Sequence, residues 1–244
     1  MKVGIAGAGG IGFASAAWLA HAGHTVCLWS PRAASADGLR AGPLRSSGVL
    51  KTQARVEVAD SAQALCDFAD VLLLAVPVNG HRAVMDQLLP HLRDPQAVIV
   101  SSMASLSALY LAEAARARGC GVTVASFGTT VLTARRDGPD HVRIMTRRPA
   151  LGVSALPLAR TQAMVALCAE LFGDGFSAHE NVLASALTNI NPAAHGQLAL
   201  FNWTRIERAE NWPQYHYMTP SVAAVIEKLD GERLALARAF GLQV

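Results

Sequence analysis

The sequence predicts an α/β protein: a doubly wound parallel sheet, followed by an all-helical second domain. Three observations predict it. A glycine-rich turn follows the first apolar strand, at Gly7-Ala8-Gly9-Gly10-Ile11-Gly12. Short apolar strands then alternate with helical patterns, the signature of crossover units in a parallel sheet. From Glu180 onward only helical patterns remain.

Taken in order, Lys2–Ala6 reads as strand, Ile11 to Leu19 as a packed helix that ends before Gly23, and Thr25–Trp29 as the second strand. Residues 30–47 are rich in Ala, Gly, Ser and Arg and read as irregular, with one or two short strands in 49–58. A helix over 61–68 and the continuous apolar run 71–76 follow, the latter of the kind buried on both faces. Helix 78–92, strand 97–100, helix 106–118 and strand 122–126 continue the alternation. Two strand-like segments (142–145 and 152–155), a helix over 158–172 and a strand near Phe176 complete the first domain. Long helical patterns cover 183–202 and 219–240, which places the domain boundary near Ala178: 1–178 for the sheet, 179–244 for the helices.

Composition excludes several classes. Hydrophobic residues are 52% and charged residues 16%, against a disordered chain. Mean hydropathy is +0.28, yet the longest aliphatic stretch, Val71 to Val78, is far short of the ~20 residues of a membrane span. Residues 1–22 imitate a signal peptide, but their five glycines fit the turn motif better, so the segment reads as mature and the protein as cytoplasmic. With 21 Lys and Arg against 18 acids, the charge is too balanced for electrostatic nucleic-acid binding. The four cysteines lie at least 39 residues apart, and neither they nor the histidines show ligand spacing, so no metal is expected.

The glycine turn fits the G-x-G-x-x-G dinucleotide fingerprint in its required place, between a strand and a helix. Gly7 permits the tight turn, Gly9 lets a diphosphate approach the backbone, and Gly12 lets helix and strand pack closely; Gly10 and Ile11 complete the loop. The fold expected is therefore Rossmann-type. The second strand ends Leu28-Trp29-Ser30-Pro31-Arg32, without the carboxylate that usually holds an NAD ribose. Ser30 and Arg32 suit a 2′-phosphate instead, which favours NADP over NAD. Val76, at the end of the apolar run, is expected to line the dinucleotide.

Farther on, Asn189-Ile190-Asn191-Pro192-Ala193-Ala194-His195 breaks the helical pattern. Pro192 restarts a helix with Asn191 as its cap, and Asn191 and His195, four apart, share one face. An imidazole there suits proton exchange with a carbonyl or amine, although an ordinary helical histidine fits the spacing as well. Arg135, Arg136, Arg143, Arg147 and Arg148 read as a solvated strand edge, any one of which could also clamp a carboxylate.

Together with the fingerprint, Asn191-Pro192-Ala193-Ala194-His195 and the stretch from Thr219-Pro220-Ser221-Val222-Ala223 through Asp230-Gly231-Glu232-Arg233-Leu234 to Gly241 resemble the opine dehydrogenase family of octopine/nopaline type. The resemblance implies reductive condensation of a 2-oxo acid with an amine or amino acid, with NAD(P)H as reductant, His195 as the proton-transferring residue and Asn191 orienting substrate. It also implies a helical domain that is shortened and apparently incomplete here, lacking the aspartate that the family pairs with the histidine. Apolar helix faces left open would be covered by a homodimer. Residues 126–136 resemble the family's substrate loop, with Thr130 a substrate contact and Phe127 where an acid is expected. Two other readings remain: a ketone reductase of ketopantoate or glycerol-phosphate type, and a dinucleotide-binding module without catalysis.

Overall fold

The structure, a computed structural model, describes residues 1–103 and 106–244. They form two compact units, Met1–Ala186 and Leu187–Val244.

The first unit runs β1 (Lys2–Ala6), α1 (Gly10–His21), β2 (Thr25–Trp29), α2 (Asp37–Ala41), β3 (Leu44–Gly48), β4 (Thr52–Ala54), β5 (Glu57–Val58), α3 (Ala62–Phe68), β6 (Val71–Leu74), α4 (His81–Leu88) and β7 (Ala97–Val100). It continues with α5 (Ser107–Ala117), β8 (Thr123–Phe127), β9 (Leu132–Arg136), β10 (His141–Arg147), β11 (Leu151–Leu156), α6 (Thr161–Phe172), β12 (Phe176–Ala178) and α7 (Val182–Leu187), whose last residue opens the second unit. Eight strands make the main sheet, in the order β12-β11-β8-β7-β6-β1-β2-β5. All neighbours are parallel except β11 against β8. The chain leaves β1 toward β2 and β5, then returns to β6 on the other side, so the sheet switches direction between β1 and β6. Ligands of such sheets bind outside the strand ends at that point.

Alternating side chains build a core on each face of the sheet. Val3, Ile5, Val26, Leu28, Val71, Leu73 and Ile99 face one layer with Phe13 and Leu19 of α1. Ala6, Cys27, Trp29, Leu72, Leu74, Val98 and Val100 face the other with Leu65 of α3 and Leu111 of α5. Burial drives the Cys27 thiol up to about 11 and those of Cys66 and Cys168 to about 12, so all three stay protonated and inert near neutrality.

A second sheet, β4-β3-β10-β9, departs from the sequence expectation. Part of the segment read as irregular supplies α2 and β3, and residues 132–136 of the supposed substrate loop form β9. β3 pairs in parallel with β10, Arg45 opposite His141. These strands cross nearly a hundred residues of chain to meet; β10 was expected near 142–145, but β3, with Leu44 as its one large apolar side chain, is not announced by local pattern. Phe127, at the end of β8, is wholly buried, its ring 5.7 Å from that of Phe176. It packs the core rather than facing a ligand.

The second unit comprises α8 (Asn191–Leu200), α9 (Trp203–Glu207) and α10 (Pro220–Ala239). α10 starts with Thr219 as cap, its hydroxyl accepting from the Val222 N–H, and Pro220 in the first turn. α8 starts one step earlier than expected: Asn191 is its first residue, and the side chain of Asn189 accepts the Asn191 N–H at 3.0 Å. The cap position is therefore Ile190, not Asn191, with no side-chain cap of its own; Asn189 only steadies the turn before it. No helix among the described residues is long and apolar enough to cross a membrane.

Candidate active site and cofactor pocket

The three motif glycines have separate tasks. Gly7 sits at φ +132°, and a Cβ on it would lie 2.2 Å from the Ala75 carbonyl oxygen, so only glycine permits the turn. A Cβ on Gly12 would lie 2.0 Å from the Gly7 carbonyl oxygen, the closest approach of α1 to the turn. Gly9 is different: a Cβ there meets nothing within 4 Å. The space above Gly9 is clear.

The turn fits a dinucleotide diphosphate on its own chemistry. The opening N–H groups of a helix lack intrahelical partners, and no other protein group takes those of Gly10, Ile11 and Gly12 among the described residues. No acidic residue lies in the first turn of α1 to compete for the positive end of the helix. A pocket of about 250 Å³ opens there, bounded by Gly9, Gly10 and Ile11 of the turn, Val76 after β6, Ser101 and Ser102 after β7, and Thr130. Val76 and Thr130, remote in sequence, thus meet the glycines at one pocket.

Ser30 and Arg32 follow the end of β2, which the turn touches through the Gly7 N–H to the Trp29 carbonyl, 2.8 Å. The Ser30 hydroxyl oxygen accepts the Arg32 N–H at 3.3 Å, leaving its own proton to donate. The Arg32 guanidinium is exposed and has no carboxylate partner among the described residues.

Two residues that hold this pocket escaped the sequence reading. His81 is 2% exposed, and its Nε2 stands 3.1 Å from the Val76 carbonyl and its Nδ1 2.9 Å from the Ser107 hydroxyl. A carbonyl only accepts, so Nε2 carries the proton and Nδ1 accepts from Ser107. Burial holds this imidazole below its ordinary value, hence neutral. It braces the loop that lines the pocket. Arg136 is not a solvated strand edge either. Its Nη1 donates to the carbonyls of Ala8 (2.9 Å) and Ser35 (2.6 Å), Nε to Gly138 (2.8 Å), and Nη2 to Pro139 (3.1 Å). Its guanidinium carbon lies 4.2 Å from the centroid of the Phe13 ring. One side chain therefore ties the glycine turn, the segment after β2 and the β9–β10 turn together. Two other arginines of that run are structural too: Arg148 donates to the Thr130 carbonyl (2.9 Å) and Arg147 to Phe172 (2.9 Å), whereas Arg143 makes an exposed pair with Asp137 (3.2 Å). Arg135 is exposed, with no such partner among the described residues.

In the second unit, His195 and Asn191 both lie on α8, one turn apart. His195 is exposed, and its Nε2 is 2.6 Å from the Tyr215 hydroxyl. Nearby, Trp212 stacks on Tyr217 at 4.4 Å, and Arg205 lies 3.8 Å over the Trp212 ring while pairing with Glu210 at 2.7 Å. Asp230 pairs with Arg233 at 2.6 Å, and Arg233 also reaches the Leu187 carbonyl, closing the start of this unit onto α10.

Comparison with known proteins agrees with both halves. Residues 178–244 match the family model of the NAD/NADP octopine/nopaline dehydrogenase alpha-helical domain. Over 251 aligned residues the chain is 28% identical to an opine dehydrogenase from Arthrobacter sp. (strain 1C), covering 98% of this chain and 68% of that protein. The chain is thus similar to opine dehydrogenases, in sequence along its length and in its helical part by family model. Residues 2–107 also match the model for the NAD-dependent glycerol-3-phosphate dehydrogenase N-terminus. Among solved structures, octopine dehydrogenase with NADH and L-arginine superposes with a TM-score of 0.70 at 18% identity, over 83% of this chain and 54% of that one. A PanE/ApbA family ketopantoate reductase from Ralstonia eutropha JMP134 superposes with a TM-score of 0.72 at 24% identity, over 100% of this chain and 76% of that one. The match thus spans little more than half the length of octopine dehydrogenase.

Proposed function

We propose that the chain is an NAD(P)H-dependent oxidoreductase of opine dehydrogenase type, which joins a 2-oxo acid to an amine or amino acid and reduces the imine. Residues 1–178 hold the dinucleotide and 179–244 present the proton-handling residue. The observation that carries the reading is the pocket over the glycine turn, with clear space above Gly9 and untaken N–H groups, in a chain whose other part matches the octopine/nopaline helical domain. A bound nicotinamide supplies the hydride; the chain supplies orientation and a dry wall. Gly7, Gly9, Gly10, Ile11 and Gly12 receive the diphosphate, Val76 lines it, and Ser30 with the unpaired Arg32 takes a 2′-phosphate, making NADP the preferred form. Thr130 touches substrate. His195 gives and takes the proton that condensation and reduction require, and Asn191, one turn away, orients the substrate. The protein works in the cytoplasm, as a homodimer.

The test is NADPH oxidation with pyruvate and other 2-oxo acids, each with and without a panel of amino acids. The rate is expected to depend on both partners. His195→Ala should lower turnover at least a hundredfold, the scale of general acid–base catalysis, with NADPH affinity nearly unchanged; unaltered turnover would remove the role. One observation favours a second reading, a ketone reductase: the ketopantoate reductase covers the whole chain, with the higher TM-score of the two structures compared above. An amine-independent rate on a 2-oxo acid would decide for it.

A further inference from the structure

Strand β7 ends in Val100 and is followed by two serines. Ser101 is 5% exposed and borders the pocket over the glycine turn. Its N–H is spent on the Leu74 carbonyl, 3.1 Å away. Its hydroxyl has no hydrogen-bond partner among the described residues, and it is not sealed off from solvent either. Most other buried serines are engaged, Ser15 of α1 excepted: Ser46 donates to the Leu50 carbonyl at 2.8 Å, Ser107 meets His81, and Ser126 and Ser154 bond each other at 3.1 Å. A buried polar group left open toward a pocket calls for an explanation.

Ser102 adds a second, independent oddity. It holds φ +71°, a left-handed backbone that L side chains adopt at a cost and that clusters where ligands are bound. It too borders the pocket.

The rest of the wall narrows the ligand. Among the described residues no charged side chain borders this pocket; around the two serines stand Ile11, Ala75, Val76 and Pro77. Such a wall suits a flat, uncharged ring with one neutral polar group, whereas a carboxylate facing only hydroxyls would be poorly compensated. Topology narrows it further. β2, with Ser30 and Arg32 at its end, lies on one side of β1, and β6 and β7 lie on the other. A dinucleotide whose diphosphate rests on the turn at β1, with its adenosine over β2, extends its other half across the ends of β6 and β7.

We propose that Ser101, on the strained Ser101-Ser102 corner, hydrogen-bonds the carboxamide of the nicotinamide ring and so fixes which way the ring faces. A hydroxyl can donate to the amide oxygen or accept from its NH₂, so either orientation of the amide is served. Ser101 is thereby a cofactor-positioning residue. The inference rests on the dinucleotide reading and deepens it.

The test compares two ligands on two proteins by isothermal titration calorimetry. NADPH carries the nicotinamide; 2′-phospho-ADP-ribose keeps the adenosine, the diphosphate and the 2′-phosphate but lacks the ring. Ser101→Ala is expected to weaken NADPH about five- to tenfold, the effect of one neutral hydrogen bond, and to leave 2′-phospho-ADP-ribose unchanged. Its thermal midpoint should be no lower than that of the unaltered chain, because no protein group loses a partner. Equal losses for both ligands, no loss for NADPH, or a clear fall in midpoint would each overturn the role of Ser101. If the unaltered chain binds neither ligand, the dinucleotide reading itself fails and the inference falls with it.

Discussion

Two glycines of one motif should respond in opposite ways to the same methyl group. In Gly12→Ala the new carbon would sit 2.0 Å from the Gly7 carbonyl oxygen and 2.9 Å from its carbon. Both are backbone atoms, so α1 must move away from the turn. Overpacking of this kind costs about 1–3 kcal/mol, and a clash with backbone belongs at the upper end. Alanine returns about 1 kcal/mol of helix propensity, leaving a net loss of about 2 kcal/mol. At about 2–4 °C per kcal/mol for a chain of this size, the thermal midpoint should fall by about 4–8 °C. In Gly9→Ala the methyl meets nothing within 4 Å, and φ of −83° suits any residue. The poorer helix cap and the stiffer unfolded chain roughly cancel, each within about 1 kcal/mol, so the midpoint should hardly move. The methyl instead occupies the space assigned to the diphosphate. Losing one charge-assisted hydrogen bond, about 1.5–3 kcal/mol, weakens NADPH by about ten- to a hundredfold. Differential scanning fluorimetry and calorimetric titration read the two quantities separately. Full NADPH affinity in a stable Gly9→Ala protein would refute the placement of the diphosphate on this turn.

Three further outcomes are expected. Arg136→Lys should lower the thermal midpoint by about 5–10 °C, because an ammonium cannot serve four carbonyls in a planar fork and about 2–4 kcal/mol is lost; an unchanged melt would contradict its role as a tie. Arg32→Ala should weaken NADPH about tenfold while sparing NADH, since only the former carries the 2′-phosphate; equal effects on both would assign the phosphate elsewhere. Burial holds His81 and His179 below their ordinary value of 6.5, so below that pH the unfolded chain takes up protons that the folded chain does not. Their contribution is complete above about pH 7 and declines as pH falls toward the depressed values, by at most about 1.4 kcal/mol per pH unit for each. Denaturation midpoints measured from pH 7.5 to 5.5 should therefore decline, less steeply in His81→Asn; an identical slope in that variant would count against the neutral brace.

The opening of the chain was legible because its determinants are local. A continuous apolar strand, three glycines at fixed spacing and a second strand ending without a carboxylate can be read in thirty residues, and the structure places β1, α1 and β2 accordingly. In the second sheet β4 and β10 were legible, but β3 and β9 were not. β9 reads Leu-Thr-Ala-Arg-Arg and β3 reads Leu-Arg-Ser-Ser-Gly, polar runs that become strands only by pairing with β10, far along the chain from β3. For the same reason Arg136 looked like surface charge: two of its acceptors, Ala8 and Ser35, lie 128 and 101 residues away. At the pocket, Val76 and Thr130 could be proposed from position and resemblance. Ser101 could not, because an unpartnered hydroxyl is a property of what surrounds it. One signal was available: two serines directly after a fully apolar strand, in the place where a doubly wound sheet presents its ligand.

Calorimetric titration of NADPH and of NADH into the folded chain tests directly whether a dinucleotide lies against the turn between β1 and α1. Saturable binding at one site per chain, tighter for NADPH, is the predicted result. Absence of binding heat for both nucleotides across temperatures, with no shift in melting point at millimolar ligand, would contradict it.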